Sequence, residues 1–474
     1  MREVEVAIIG AGSAGLAARR EVAKVTDNYV VIEAGALGTT CARVGCMPSK
    51  VLIQAANDFE RRKQMAEEGI LGSEQLRIDT KQVMAHVRKL RDRFVRAVKN
   101  DMNDWVQTHL IQKRATFVDR NTLDLGDEKI RAKKIIIATG SRPILPKAWE
   151  PYKSHLINTD QFFEQEDLPG SVAVIGLGVI GLELGQALHR LGVRVTGVGL
   201  GKSMAGLTDP EVVEYSANKL SEEMDLHFDG VTKLDLVDGK LLVVSGEKQF
   251  LVDQAFLTMG RRPNVDGLGF DQLGIHLDER GYPQFDKTTG QIEDTNLFIA
   301  GDVNADRPIL HEASDEGRIA GFNATRDQVL AFKRRLPMGI TFSDPEIAVV
   351  GQSHRSLVDQ GVSFEVGRVS FEGQGRAIVK LKEKGQLRVY AEKKTGRLLG
   401  AEMFAPEAEH LAHLLAWVMS MELTVFDVLA MPFYHPVIEE GLRTALRDVG
   451  SKVCCQDSPL EVKIANNLKE RDWA

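Results

Sequence analysis

Glu3-Val-Glu-Val-Ala-Ile-Ile-Gly10-Ala-Gly12-Ser-Ala-Gly15, answered by Tyr29-Val-Val-Ile-Glu33, decides the fold of this 474-residue chain. An apolar strand runs straight into a glycine loop. The stretch after it, rich in Ala, Leu and Arg, reads as helix, and a second strand ends on an acid 18 residues beyond the last glycine. This is a βαβ unit carrying the G-x-G-x-x-G fingerprint of dinucleotide binding. Gly10 allows the tight turn, Gly12 lets the backbone approach a pyrophosphate, and Gly15 lets helix and strand pack closely. Ser13 and Ala14 open the helix, whose N-terminus faces the phosphates. Glu33 is placed to accept from a ribose hydroxyl. The loop alone would be a weak signal; strand, loop, helix, strand and acid in this order are a strong one.

The pattern recurs once. Ser171-Val-Ala-Val-Ile leads into Gly176-Leu-Gly178-Val-Ile-Gly181 and returns in Val193–Val198, about 166 residues after the first unit. One repeat at that period means two nucleotide-binding units, not a solenoid. The second unit departs from the first where its acid should stand. Position 199 is Gly199, followed by Leu200, Gly201, Lys202 and Ser203. Without that carboxylate the usual ground for preferring an unphosphorylated ribose disappears. Lys202 reads either as a partner for a 2′-phosphate or as a solvated surface lysine.

Between the units lies Cys41-Ala-Arg-Val-Gly-Cys46-Met-Pro-Ser-Lys50. In an ideal helix, residues five apart have Cα atoms roughly 8.6 Å apart, and a disulfide tolerates at most about 7 Å. If the two cysteines bridge, the segment therefore cannot be regular helix, and Gly45 supplies the bend. A bridge closing so short a loop adds little stability; it belongs to the exchangeable kind associated with catalysis. Zinc is the competing reading. It needs four ligands at chelating spacing, and the only other cysteines are the adjacent Cys454 and Cys455. No metal is expected.

The rest of the chain sorts by texture. Val83, Val87, Leu90, Phe94 and Val98 recur at helical steps on a Lys/Arg-rich background, which reads as a solvated helix face. Lys134-Ile-Ile-Ile-Ala-Thr-Gly140 is a buried strand ending in a turn, and Pro143, Pro146 and Pro151 suggest a crossover. Asn296-Leu-Phe-Ile-Ala-Gly301-Asp302 is another strand ending in a turn. From about residue 337, Ile340–Val350, Glu365–Phe371, Ala377–Lys382 and Gln386–Ala391 read as short strands, followed by a helix over Pro406–Met421. The expected division is 1–145 and 266–335 for the first nucleotide domain and 146–265 for the second. An α+β domain follows over 336–453, with a polar, mobile tail over 454–474. The fold class is thus α/β, two Rossmann-like domains with a third α+β domain. Net charge is −7 and pI near 6.0, which argues against nucleic acid or an anionic membrane as partner. The longest apolar run, Leu411–Val418, is broken by His413, and Val4–Ile9 reads as a strand and not as part of a signal peptide. The expected compartment is cytoplasmic.

These pieces, in this order, resemble the pyridine nucleotide–disulfide oxidoreductases over nearly the whole chain. The resemblance rests on Gly10–Gly15, Cys41–Lys50, Ala138–Arg142, Gly176–Glu183, Gly260–Asn264, Gly301-Asp302 and His435–Glu440, and the pattern looks most like dihydrolipoamide dehydrogenases. It implies FAD on the first unit, NAD(H) on the second with NADP(H) left open, and a C-terminal domain that forms a homodimer. The FAD contacts it implies are the first fingerprint with Glu33, then Thr40, Lys50 and Ala115, and then Ala138, Thr139, Gly140, Asp302 and Leu310. For the nicotinamide nucleotide it implies Gly176, Gly178, Val179, Ile180, Gly181 and Gly260. Cys46 would lie against the flavin and Cys41 would face the substrate, with Lys50 paired to Glu183. In Pro432-Phe-Tyr-His435-Pro-Val-Ile-Glu-Glu440, Pro436 suits the first position of a helix. His435 would then sit at its N-cap with Glu440 a turn further in, orienting a base that serves the other subunit. The implied reaction takes dihydrolipoamide and NAD+ to lipoamide and NADH, on free lipoamide or a lipoyl domain. Two other readings stay open. Gly199, Lys202 and the Cys454-Cys455 pair suit an NADPH-dependent disulfide or mercuric reductase, and the polar tail suits a nucleotide-binding redox sensor.

Overall fold

The computed structural model describes residues 1–202, 204–454 and 460–462. Strand β1 (Arg2–Ile9) lies between β2 (Tyr29–Ile32) and the strand Lys129–Ile137, parallel to both. Its four inner residues Val6–Ile9 are nearly inaccessible, as a strand covered on both faces must be. Helix α1 (Ser13–Val22) covers one face and packs along the helix Leu310–Ala324. Gly317 and Gly321 make that crossing close: a Cβ on either would fall 2.2 or 2.4 Å from the carbonyl of Ala14 or Ala18. Register then fixes where the loops emerge. Ile9 pairs with Ile137, and Ile137 with Ile299 of the parallel strand Leu297–Ile299. The turns at Gly10, Ala138 and Ala300 therefore leave one edge of one sheet together, the crevice where open α/β sheets bind ligands.

The second unit repeats the device. Strands Ser171–Ile175, Arg194–Val198 and Gln254–Leu257 are parallel, with Ile175 in register with Val198 and Leu257. An antiparallel meander over Lys233–Val252 packs beside this sheet; the sequence reading did not include it. A two-stranded ribbon, Ser141–Pro143 against Arg261–Pro263, ties the two crossovers between the sheets.

The C-terminal sheet is antiparallel and five-stranded, and it shares its core with the helices Ala408–Ser420 and Glu439–Gly450. Two expectations need correction here. Ala377–Lys382 is not a strand. Gly375–Val379 forms a short helix, because the Gln374 side chain caps it by accepting from the Ala377 N–H at 2.8 Å. The single strand expected over Ile340–Val350 is two, Met338–Thr341 and Glu346–Gly351, parted by Asp344-Pro345, where no ladder donor exists. Among the described residues, no helix is long and apolar enough to cross a membrane, and no cluster of His, Cys, Asp or Glu could hold a metal ion.

Candidate active site

Helix α2 (Thr40–Val44) carries Cys41, and α3 (Cys46–Glu60) begins at Cys46. Gly45 separates them at φ −130° and ψ −119°, so the path between the cysteines is bent as a bridge would require. Thr39 caps α2 by accepting from the Ala42 N–H at 3.3 Å. Both cysteines are free thiols, in hydrogen-bond contact with each other. The contact divides them. The hydrogen bond from Cys41 holds Cys46 down to about 7, assisted by the charge of Lys50 against the opposing effect of burial. Cys41 is pushed up, first by donating to Cys46 and then by burial. The Lys50 ammonium, one turn from Cys46, favours a thiolate on that sulfur.

Lys50 stands one turn after Cys46 and donates to Glu183 Oε2 at 2.7 Å. Glu183, on the helix Val179–Arg190, is 4% exposed and accepts the Phe342 N–H on its other oxygen at 2.9 Å. The Phe342 ring lies under the Lys50 ammonium, 4.6 Å from centroid to Nζ. Three separate parts of the chain meet at one carboxylate. Sequence reading found the Lys50–Glu183 pair but not Phe342, whose part rests on a backbone N–H that any residue would offer.

The glycines of both fingerprints do the expected jobs. A Cβ on Gly10 would lie 2.2 Å from the Ala138 carbonyl, and one on Gly15 would lie 1.9 Å from the Gly10 carbonyl. A Cβ on Gly12 would meet nothing within 4 Å. The second unit has the same arrangement, with Gly176 against Thr258, Gly181 against Gly176, and Gly178 in the open. Each loop is therefore a cradle that fits a pyrophosphate at the start of a helix, next to Ser13 and Ala14 or to Val179 and Ile180. Glu33 accepts from the Ala11 and Gly35 N–H groups, both at 2.7 Å, which ties the acid to the loop. Position 199 offers no such group. A Cβ there would come within 3.0 Å of Leu177, and Lys202 is exposed.

Around the first cradle, Thr139 and Gly140 are held by Asn264: Thr139 Oγ1 donates to its carbonyl, and its N–H and Nδ2 donate to the carbonyls of Gly140 and Thr139. Asp302 follows Gly301, whose N–H is accepted by the buried Glu316 at 2.7 Å. Thr40 opens α2, Leu310 opens its helix, and Gly260 takes a φ of +97° at the end of the second sheet. The Ala115 methyl packs in the apolar core of the first sheet. Ser141 and Arg261 lie inside the motif segments Ala138–Arg142 and Gly260–Asn264 without a role that sequence alone assigns, and Glu316 lies outside any motif.

His435 Nδ1 and Glu440 Oε2 are 3.0 Å apart, and the Glu440 carboxyl is held low, chiefly by His435. The pair is as expected, but its setting is not. The helix begins at Glu439, so Pro436 lies ahead of it and not at its first position, and Ile438 is the N-cap. Glu440 reaches back over this loop and also accepts the Val437 N–H at 3.2 Å. The His435 side chain is 80% exposed, and among the described residues its side chain bonds to Glu440 and not to a cysteine. Cys454 is an exposed thiol whose N–H donates to the Lys393 carbonyl, while Cys455 lies outside the described residues. The tail also departs from expectation at residues 460–462. Glu461 bridges Arg447 and Arg443, and the Arg447 hydrogen bond above all holds it down to about 2.

Comparison with known proteins identifies the family and the fold. The family model described as pyridine nucleotide-disulphide oxidoreductase matches residues 4–317, and its dimerisation domain matches residues 338–446. Dihydrolipoyl dehydrogenase of Geobacillus stearothermophilus is 30% identical over 458 residues, covering 92% of this chain and 94% of that protein. The enzyme of the same name from Staphylococcus aureus is 28% identical over 464 residues, covering 92% and 95%. Among solved structures, the Cu(II) complex of the HOCl-induced flavoprotein disulfide reductase RclA from Escherichia coli superposes with a TM-score of 0.81. It is 21% identical and covers 94% of this chain and 99% of that one. LpdA from Mycobacterium tuberculosis does so at 0.80 with 22% identity, covering 94% and 99%. The chain belongs to the pyridine nucleotide–disulphide oxidoreductases and is a dihydrolipoyl dehydrogenase-like flavoprotein disulfide oxidoreductase, of a family that uses FAD and NAD(H).

Proposed function

We propose that the chain oxidises a small dithiol of the dihydrolipoamide type with NAD+, through a reversible Cys41–Cys46 disulfide in a homodimer. The observation that carries this reading is the pair of free thiols set on either side of the bend at Gly45, one turn from the Lys50–Glu183 ion pair. In the oxidised enzyme a substrate thiolate attacks Cys41, forming a mixed disulfide and releasing Cys46 as the thiolate that its surroundings favour. The second substrate sulfur attacks its own sulfur in that mixed disulfide, closes the product disulfide and frees Cys41. Two electrons have then passed from substrate to the cysteine pair. The partner subunit's His435, oriented by that subunit's Glu440, accepts the proton of the attacking thiol, and the proton of the second substrate thiol ends on the departing Cys41 sulfur. FAD and the nicotinamide nucleotide, when bound, supply the onward two-electron transfer. The first cradle, Glu33 and the turns at Thr139-Gly140 and Gly301-Asp302 hold FAD, with Asp302 taking a hydroxyl of its polyol chain. The second cradle and Gly260 hold the nucleotide.

Steady-state NAD+ reduction by dihydrolipoamide tests the reading. Robust turnover that Cys46→Ser abolishes is the expected result, and turnover retained in that variant would overturn the mechanism. Gly199 supports a second reading, an NADPH-dependent disulfide or mercuric reductase. The ratio of kcat/KM for NADPH and NADH, taken against a panel of disulfides and Hg(II), separates the two. Indifference to NADPH would dismiss the second.

A further inference from the structure

The turn after the strand Leu297–Ile299 ends in a carboxylate held from an unexpected direction. Asp302 Oδ2 accepts from Ser141 Oγ at 2.7 Å. Ser141 Oγ in turn accepts from Arg261 Nε at 2.8 Å, and the same guanidinium donates from Nη2 to the Ser141 carbonyl at 2.7 Å. Ser141 and Arg261 sit on the two strands of the ribbon where the chain leaves the first sheet and where it comes back from the second. A hydroxyl has one proton. Because Ser141 accepts from Arg261, that proton is committed to Asp302, and the cation behind it strengthens the bond. Arg261 has no ion-pair partner among the described residues that would draw it elsewhere. Asp302 Oδ1 meets no protein donor among the described residues. The backbone of the turn is fixed separately, through the Glu316 carboxylate that accepts from the Gly301 N–H and from Asn304 Nδ2, both at 2.7 Å.

We propose that Ser141 and Arg261 are positioning residues for Asp302. Together they commit Oδ2 to the protein and leave Oδ1 to accept a polyol hydroxyl of FAD. Flavin retention then depends on the ribbon that joins the two nucleotide-binding sheets. The inference rests on the reading of Asp302 as an FAD ligand, so the test is a double-mutant cycle that examines both.

Apoprotein of the parent, Asp302→Asn, Ser141→Ala and the double variant is titrated with FAD, following quenching of flavin fluorescence, and each apoprotein is melted in parallel. Ser141→Ala is expected to weaken FAD about fivefold to tenfold with an unchanged apoprotein Tm, and Ser141→Thr to restore binding. In the Asp302→Asn background, Ser141→Ala should add less than about twofold, because the oxygen it orients is gone. Arg261→Met should weaken FAD in the same direction, with Arg261→Lys falling between it and the parent. If Asp302→Asn weakens FAD while Ser141→Ala changes nothing, or if the two effects multiply, the positioning role is wrong and the Asp302 reading stands. If Asp302→Asn binds FAD as the parent does, both are overturned.

Discussion

Cys46 and Lys50 lie one turn apart on α3, so their spacing puts an ammonium beside a thiol before any tertiary contact forms. That part of the site was legible in the sequence, and the Glu183 partner came only from what the family resemblance implies. The bent path at Gly45 was legible too, since only a broken helix lets residues five apart touch. What sequence could not show is which sulfur keeps the proton, because the direction of the hydrogen bond depends on side-chain placement. Cys46 is held below the ordinary thiol range, which favours its thiolate near neutrality. The Cys41 hydrogen bond is the largest of the causes that lower it, and the Lys50 charge comes next. Lys50→Met should therefore raise the Cys46 titration by roughly half to one unit without abolishing the depression. The pH dependence of alkylation of the reduced enzyme measures this, and an unshifted midpoint would remove Lys50 from the account.

At the scale of elements, the glycine cradles separate folding from binding. Gly15→Ala forces a methyl to within 1.9 Å of the Gly10 carbonyl, a backbone atom that cannot yield cheaply. It should destabilise the apoprotein by about 3 kcal/mol. Gly12→Ala meets open space and has an ordinary φ of −79°. It should leave the apoprotein Tm within a degree or two and weaken FAD by about tenfold or more, since the methyl occupies the phosphate approach. Equal stability losses in the two variants would contradict this division of labour. The third sheet was less legible. Its strand Leu398–Ala405 is buried throughout and lacks the alternation that marks a half-covered strand, so the sequence reading passed over it. The same sheet holds Glu346, whose carboxyl is pushed up to about 7, chiefly by burial and then by the Glu409 and Glu407 charges, against the Glu409 N–H it accepts. An acid raised on folding binds more protons in the native state between about 4.5 and 7, so it removes stability as pH rises through that window. Glu346→Gln should therefore be neutral near pH 4 and stabilising by about 2 kcal/mol at pH 8, allowing for its partial contact with water. Denaturant midpoints at the two pH values decide it.

At the scale of the whole molecule, polar groups far apart in sequence tie the sheets together. Asp209, fully buried, accepts from Arg388 at 2.7 Å and Tyr390 at 2.9 Å, and Arg190 joins Glu223, Asp344 and Asn57. All of these partners except Arg190 and Glu223 lie more than a hundred residues apart, which is invisible to periodicity, so the number of units was legible and their mutual seating was not. The C-terminal unit presents Trp417, Met421 and Tyr434 to solvent at 64%, 70% and 81% exposure, and His435 next to Tyr434 in sequence is exposed as well. An apolar surface of this kind suits association, and it belongs to the part of the chain that matches the family's dimerisation domain. If His435 serves the cysteine pair across a two-fold axis, two inactive subunits can repair each other. Cys46→Ser and His435→Gln homodimers should each be nearly inactive. A hybrid dimer should contain one complete site, formed by the cysteines of the His435→Gln subunit and the histidine of the Cys46→Ser subunit. Random pairing of equal amounts then yields about a quarter of the parental activity, because half the dimers are hybrid and each has one working site of two. If His435 acts within its own subunit, no pairing contains a complete site and the mixture stays inactive. Differently tagged variants, co-expressed and purified through both tags, enrich the hybrid and should raise the recovered activity to about half of the parent's. An inactive but fully dimeric, flavin-loaded hybrid would place the base inside the subunit and leave the exposure of His435 without a catalytic meaning.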